Sequence, residues 1–349
     1  MIERRRKFSV NDSYGGVFVY NLSGQLLEQY AFEVSDVLKG RGAYICITEN
    51  GKKIIKAYDA SEIRAEALCL FLQEVKAKGV PADSIIRTKD DKVLAADIDG
   101  TTYYARDYIE GRECETKNRE DVLASMGALA RFHNCMNGYE GEIPEGMRVS
   151  PDMLVLEYEK HNRELKKVRN YVRGKKSKNE FEMIFWRSHA AFLEKAQKVT
   201  EKLHKQMEEV QGMAWSQMEG ICHGDFNQHN VLFVKDNVWI TNFEASVYDV
   251  QMRDLANFLR KIMEKYNWNL ELAVDMIHAY EKERTLARQE WEQLYIRLSY
   301  PEKFWKIANH YYNSNKAWIS GRNIEKLNKV IEQEEQREHF LNMLFSFVK

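Results

Sequence analysis

From about Gly111 onward the chain reads as one helical segment after another, and a single window, residues 221–244, breaks that texture. Two short apolar runs of β type, VLFV (231–234) and VWIT (238–241), flank the turn Lys235-Asp236-Asn237, and the polar octapeptide HGDFNQHN (223–230) stands just before them. A hairpin isolated among helices puts the loop that precedes it where polar groups can be presented.

The first 110 residues have the opposite character. From Glu33 to Ile109 the signals are mostly strand-like, with two-residue turns at Asn50-Gly51, between YICIT and KIIKAY, and at Asp99-Gly100, between VLAADI and TTYYARDYI. One helix interrupts them over 61–80, with Ile63, Ala67, Leu70 and Leu72 as its apolar stripe. Strand, strand, helix, strand, strand makes a small α+β lobe on an antiparallel sheet. After it, 118–134, 178–209, 255–266, 270–284, 287–298, 302–319 and a last segment from about Asn323 read as helices. We expect an α+β, bilobal chain with an N-lobe at 1–108 and a mainly helical C-lobe at 109–349. No fixed-period repeat or low-complexity linker divides it.

Charge narrows the function classes. Lys plus Arg (52) nearly balance Asp plus Glu (53), so no global field favours nucleic acid or an anionic membrane. The basic start MIERRRKFSV is followed by no apolar run, and no stretch has the ~20 apolar residues of a membrane span. Five scattered cysteines without a CxxC pair read as reduced thiols, so the expectation is a cytoplasmic protein that binds neither nucleic acid nor membrane.

The chemistry concentrates in the loop. Asp225 is followed five positions later by Asn230, the spacing with which a protein-kinase catalytic loop places its base and one metal ligand, although His, Gly, Asp and Asn are also ordinary turn residues. The second β run leads into Asn242-Phe243-Glu244, where such phosphotransferases carry a magnesium-binding aspartate. Asp254 stands at a helix start, fit to cap amides and to brace the loop. In the front lobe, Lys56 follows the Asn-Gly hairpin on a strand, as an ATP-binding lysine does, with Glu66 on the next helix as its ion-pair partner and Glu62 as the competing choice. Gly40-Arg41-Gly42 lies between two strands; its backbone either approaches phosphate or simply turns a hairpin. The stretch Tyr104–Gly111, with Arg106 and Tyr108, reads either as an adenine-binding hinge or as the end of an interdomain strand.

Together HGDFNQHN, NFE, DLA, LARFH (129–133), Lys56 and DYIEG resemble the aminoglycoside phosphotransferase and choline kinase superfamily, a protein-kinase-like group. ICHGDFNQHNVLF, the helical insertion at about 140–215 and the tail SYPEKFWKIANHYYN resemble, more narrowly, the CotS-type spore coat proteins. The resemblance implies a five-stranded N-lobe, ATP and magnesium as cofactors, Asp225 as base, Asn230 as metal ligand, and His223 and Asp254 as supports of the loop. It also implies an acceptor side built from the insertion and C-terminal helices, a small-molecule or glycan acceptor, and a place in the spore coat among other coat proteins.

Asn242 departs from the pattern. It lacks the charge that magnesium prefers. Glu244, two residues on, supplies a carboxylate on the same face if the strand persists. Two functions follow: ATP- and magnesium-dependent transfer to a hydroxyl, or a pseudokinase retained as a structural or nucleotide-sensing coat component. A metallophosphoesterase built on His223, Asp225 and His229 is a third. The basic run 166–178 reads as a solvated helix end or an anion-steering patch. Trp291, Trp305, Tyr311, Tyr312 and Trp318 read as helix-packing residues or an acceptor cage.

Overall fold

The computed structural model describes residues 22–137, 139–210, 213–314 and 321–346. The basic N-terminal stretch and Trp318 lie outside the described residues. Contacts divide the chain into two compact units: one comprises the chain up to Glu115, Asn134–Arg148 and His223–Val247, and the other the remainder.

The first unit opens with the short helix α1 (Gly24–Leu27) and the strands β1 (Val34–Lys39), β2 (Tyr44–Thr48) and β3 (Gly51–Ala57). The β2–β3 hairpin closes at Thr48↔Gly51, so its turn residues are Glu49 and Asn50, and Gly51, at φ +92°, already belongs to β3. After α2 (Glu62–Ala77) come β4 (Ile85–Ile86), β5 (Ala95–Ala96), β6 (Thr102–Asp107) and β7 (Arg112–Glu113). The sheet runs β1-β2-β3-β6-β4, with β5 also on β6, which makes six strands rather than five. The fifth strand is split in two: β4 pairs with Ala105 and Arg106 and β5 with Thr102 and Tyr103, and a tight turn, in which Thr88 N–H meets the Lys92 carbonyl at 2.8 Å, separates them. One face of the sheet and α1 bury Leu22, Leu26, Val37, Cys46, Ile55 and Ala105.

Helix α2 forms where the sequence places it, started by a Ser61 side chain that accepts from Arg64 N–H, but it buries another face. Ala65, Leu68, Phe71, Leu72 and Val75 go inside, whereas Ile63 and Leu70 from the expected stripe are 69% and 50% exposed. Ala67 and Leu72 of that stripe are buried as well, so the buried face is shifted around the helix toward Leu68, Phe71 and Val75.

The second unit is helical. It holds α3 (Arg119–Cys135) up to His133, then α4 (Met153–Gly174), α5 (Glu180–Glu209) and α6 (Met213–Ser216). β8 (Glu219–Cys222) follows, and pairs with β11 (Val247–Val250). Between them in sequence lie β9 (Val231–Val234) and β10 (Asn237–Ile240) of the first unit. Then come α7 (Met252–Met263), α8 (Leu270–Glu281), α9 (Arg288–Ser299), α10 (Glu302–Asn313), α11 (Gly321–Glu332) and α12 (Glu334–Leu344). The expected final helix is thus two, broken at Gln333. Asn179 and Glu182 form a reciprocal cap that starts the thirty-residue α5. Phe181, Phe185 and Phe192 of that helix pack with Val168 and Val172 of α4 and Phe304 of α10. No helix among the described residues is long and apolar enough to cross a membrane.

Candidate active site

The polar loop belongs to the sheet-bearing unit, and pairing explains why. β7 adds to the β9–β10 hairpin through Arg112↔Phe233 and Glu113↔Leu232. Gly111 makes this approach possible, because a Cβ there would lie 2.8 Å from Val234 Cγ2 and 3.0 Å from the Phe233 carbonyl. The hairpin's other end is held at the exit of α2: Ile240 N–H donates to the Pro81 carbonyl (3.0 Å) and Asp83 N–H to the Ile240 carbonyl (3.3 Å).

Within the loop, buried His223 donates from Nε2 to the Thr241 carbonyl (3.0 Å), which leaves Nδ1 to accept Asp225 N–H (3.2 Å). Gly224 carries φ +79°, and a Cβ on it would sit 2.0 Å from the Ala245 carbonyl oxygen; no other residue fits. Asn230 donates from Nδ2 to the Asp225 carbonyl (2.8 Å) and carboxylate (3.3 Å), while Thr241 N–H donates to the Asn230 carbonyl (2.9 Å). The exposed Asp225 side chain is thereby held at a fixed point of a cavity of about 620 Å³.

That cavity collects most of the residues singled out in the sequence. Gly40, Arg41, Lys56, Arg106, Tyr108, Asp225, Asn230, Asn242 and Glu244 all line it. Gly42 turns the β1–β2 hairpin at φ +70°. Tyr108, in the hinge-like stretch, lines the cavity, although its own N–H is already given to the Lys52 carbonyl (3.0 Å).

The pairings differ from those read in the sequence. Lys56 Nζ meets Glu244 at 2.7 Å, not Glu66. Glu66 instead forms a two-pronged pair with Arg87 (2.5 and 3.1 Å), just beyond β4. Glu244 reaches Lys56 because the strand does not persist. β10 ends at Ile240, Asn242 adopts the left-handed conformation (φ +66°), and Phe243–Ala245 coil into a 3₁₀ turn, so the shared-face argument for Asn242 and Glu244 fails while both still reach the cavity. The Tyr104 hydroxyl also donates to Glu244. Burial alone would raise the Glu244 carboxyl, but the charge of Lys56 and the hydrogen bonds from Lys56 and Tyr104 outweigh it and hold it below the usual glutamate range.

Asn242 is engaged on every side. Its N–H donates to Asp83 (2.9 Å), its Oδ1 accepts from Arg106 Nη2 (2.9 Å), and its Nδ2 donates to Asn230 Oδ1 (2.8 Å). Arg106 in turn pairs with Asp83 at 3.2 Å, and the two side chains are 7% and 3% exposed. Tested against magnesium, this set does not fit: each amide oxygen already accepts one hydrogen bond, a guanidinium charge stands against Asn242 Oδ1, and the Glu244 carboxylate is paired with Lys56.

Asp254 is not a helix cap. Gln251 is the N-cap of α7, and Asp254 lies inside the first turn, 1% exposed, in the second unit, with its carboxylate 3.4 Å from His133 Nε2. Among the described residues no three His, Cys, Asp or Glu side chains converge as a metal-binding group, which removes the donor set a metallophosphoesterase reading needs. Trp305 stacks on His161, Tyr311 on Phe181 and Tyr312 against Tyr171, all in helix packing, and Trp291 packs on Phe345. The basic run ends α4; within it Lys175 pairs with Glu182 at 2.6 Å. A second cavity, of about 250 Å³, opens among Tyr158, Trp215, Arg253, Arg260, Arg297 and Glu302 of the helical unit.

Sequence reasoning missed Asp83 and Tyr104. Tyr104 was accessible, since Tyr104 and Arg106 alternate on one face of a strand whose partner carries Lys56 opposite Tyr104. Asp83 carried no local signal, being 159 positions from Asn242.

An antiparallel sheet with a lysine on its third strand, an Asp-and-Asn loop before a hairpin and a mainly helical remainder define a kinase-like fold. Residues 23–344 match the family described as Spore coat putative kinase YutH, and the chain belongs to that family. It is 23% identical to spore coat protein S of Bacillus subtilis (strain 168), over 92% of this chain and 93% of that protein. Among solved structures it is similar to an aminoglycoside phosphotransferase from Alicyclobacillus acidocaldarius (TM-score 0.81, 18% identity, 93% of this chain and 95% of that one). It also resembles the AMP-bound spectinomycin phosphotransferase APH(9)-Ia (TM-score 0.60, 13% identity, 87% and 94%). At these identities the structural likeness speaks for the fold alone.

Proposed function

We propose that this chain is a kinase-like component of the spore coat whose sheet-unit cavity binds ATP and whose Asp225 acts as base toward a hydroxyl of a small molecule or glycan. The observation that carries the reading is that Lys56, Asp225 and Asn230, from segments far apart in sequence, face one cavity. A lysine positions phosphate and a loop carboxylate orients or deprotonates the attacking hydroxyl, and both must lie within one site for transfer to occur. The coat setting rests on the family and on the likeness to spore coat protein S. The APH(9)-Ia complex and the aminoglycoside phosphotransferase support a nucleotide and a small hydroxylated acceptor as ligand classes.

A second reading, a pseudokinase that binds nucleotide without turning it over, is favoured by one observation: Asn242 Oδ1 and Asn230 Oδ1 are both engaged within the protein. Slow ATP hydrolysis by the wild type and Asp225→Asn separates the two. Turnover lost in Asp225→Asn supports the transferase; ATP binding with no turnover in either protein leaves the pseudokinase.

A further inference from the structure

Arg106 stands against Asn242, the residue at the position where a magnesium-binding aspartate is expected. Its guanidinium makes an ion pair through Nη1 with Asp83 (3.2 Å) and donates from Nη2 to Asn242 Oδ1 (2.9 Å), so Asp83 and Asn242 fix its plane. The residue is 5% exposed and lines the cavity, and its buried Nε has no hydrogen-bond partner. An arginine has five N–H donors in a rigid fork suited to phosphate oxygens; the Nε and the Oδ1 of its partner Asp83 are both sealed away without a partner, so the donors free to meet a ligand are those of the guanidinium's Nη atoms.

The charge around it agrees. Arg41, Lys56 and Arg106 line the cavity against Glu113, Asp225 and Glu244, so cations and carboxylates are equal in number without any added ion. A nucleotide site that uses magnesium holds it with one or two carboxylates together with the phosphates. Here the position of the missing aspartate is an amide, and the positive charge is covalently part of the fold.

We propose that Arg106 takes the place of the divalent cation, so that the cavity binds a nucleoside phosphate in its metal-free form, with a phosphate oxygen accepting from the guanidinium. This rests on reading the cavity as a nucleotide site.

The test is calorimetric titration of the full chain with ATP and with ADP, in EDTA and in excess magnesium. The expected result is a dissociation constant that agrees within about twofold between the two conditions. In EDTA it should weaken at least tenfold in Asp83→Asn/Arg106→Met, which removes the cation together with its buried partner. Asn242→Asp, nearly isosteric and therefore folded where the double variant is not, should weaken metal-free binding in the same direction, because the new carboxylate compensates the guanidinium charge. Binding that needs magnesium, or gains more than tenfold from it, overturns the inference while leaving a nucleotide site in place. Equal binding in both conditions that survives Asn242→Asp unchanged overturns the role of Arg106. No binding in either condition overturns the inference and the nucleotide reading together.

Discussion

The ion pairs Lys56–Glu244 and Arg106–Asp83 stand on the same sheet, two residues apart along the paired strands β3 and β6, yet they are built for different work. The Lys56 and Glu244 side chains are 27% and 14% exposed, within reach of a ligand; those of Arg106 and Asp83 are 7% and 3% exposed. A pair that keeps contact with water contributes little to stability and can yield its cation to a phosphate. A sealed pair makes its partners mutually dependent, since removing either leaves an uncompensated charge in the interior. Both cations line the cavity, one in a pair open to water and the other fixed in the wall by its buried partner.

Breaking the sealed pair from one side should give the largest effect. Arg106→Leu is expected to lower unfolding free energy by about 3–5 kcal/mol, because Asp83 is then buried without a counter-charge. Asp83→Asn/Arg106→Met should recover most of that loss, as the whole pair is replaced by uncharged groups of similar volume. Urea unfolding of Arg106→Leu and of the double variant checks this; a double variant as unstable as Arg106→Leu would show that the pair is not the unit of stability.

The comparison extends to the loop that faces both pairs. Gly224→Ala is expected to cost about 2 kcal/mol or more, from a left-handed backbone without glycine and from the 2.0 Å approach of its Cβ to the Ala245 carbonyl. Because Ala245 belongs to the turn that delivers Glu244, the variant should also disturb the Lys56 side of the cavity, seen as a joint fall in melting temperature and ATP affinity.

These dependencies explain what could be read in the sequence. Lys56 on a strand, the HGD loop and the hairpin after it were legible because turn chemistry and strand period are local, and the resemblance they carried gave the fold. Partners were not legible. Glu66 looks like the partner of Lys56 only until Arg87 is seen beside it, and Glu244 becomes the partner only because Asn242 leaves the strand in the left-handed region. The buried face of α2 was misread for the same reason: Ile63 and Leu70 fit a helical period, but the buried row runs through Leu68, Phe71 and Val75, with Phe71 edge-on to Phe243. The amide at Asn242 was visible as a departure; that Arg106 supplies a charge beside it was not, since it requires the fold to bring 106 and 242 together.

A smaller effect separates the pairs by pH. The Glu244 carboxyl is held below its ordinary value of about 4.3, so it contributes stability that is complete above that value and disappears as pH falls through the lower folded-state value. Wild type should therefore lose more stability than Glu244→Gln between neutral pH and strongly acidic solution, with the two curves converging at the acid end. Chemical denaturation at a series of pH values measures it, and parallel curves would mean that Lys56 does not hold the carboxylate.

The smallest change in stability should accompany one of the largest changes in binding. Lys56→Met removes a cation whose aliphatic stem methionine largely replaces, from a pair still in contact with water, and the Tyr104 hydroxyl continues to hydrogen-bond Glu244. The expected cost is about 0.5–1 kcal/mol in unfolding free energy. ATP affinity should nevertheless fall at least tenfold, because the cavity then keeps Arg41 and Arg106 against three carboxylates and loses the one cation placed on β3 to meet phosphate. Measured side by side with Arg106→Leu, both variants should weaken ATP binding, but only Arg106→Leu should also be costly to the fold. If Lys56→Met destabilised the protein as much as Arg106→Leu does, the accessible pair would be structural after all, and the division of labour between the two walls of the cavity would be lost.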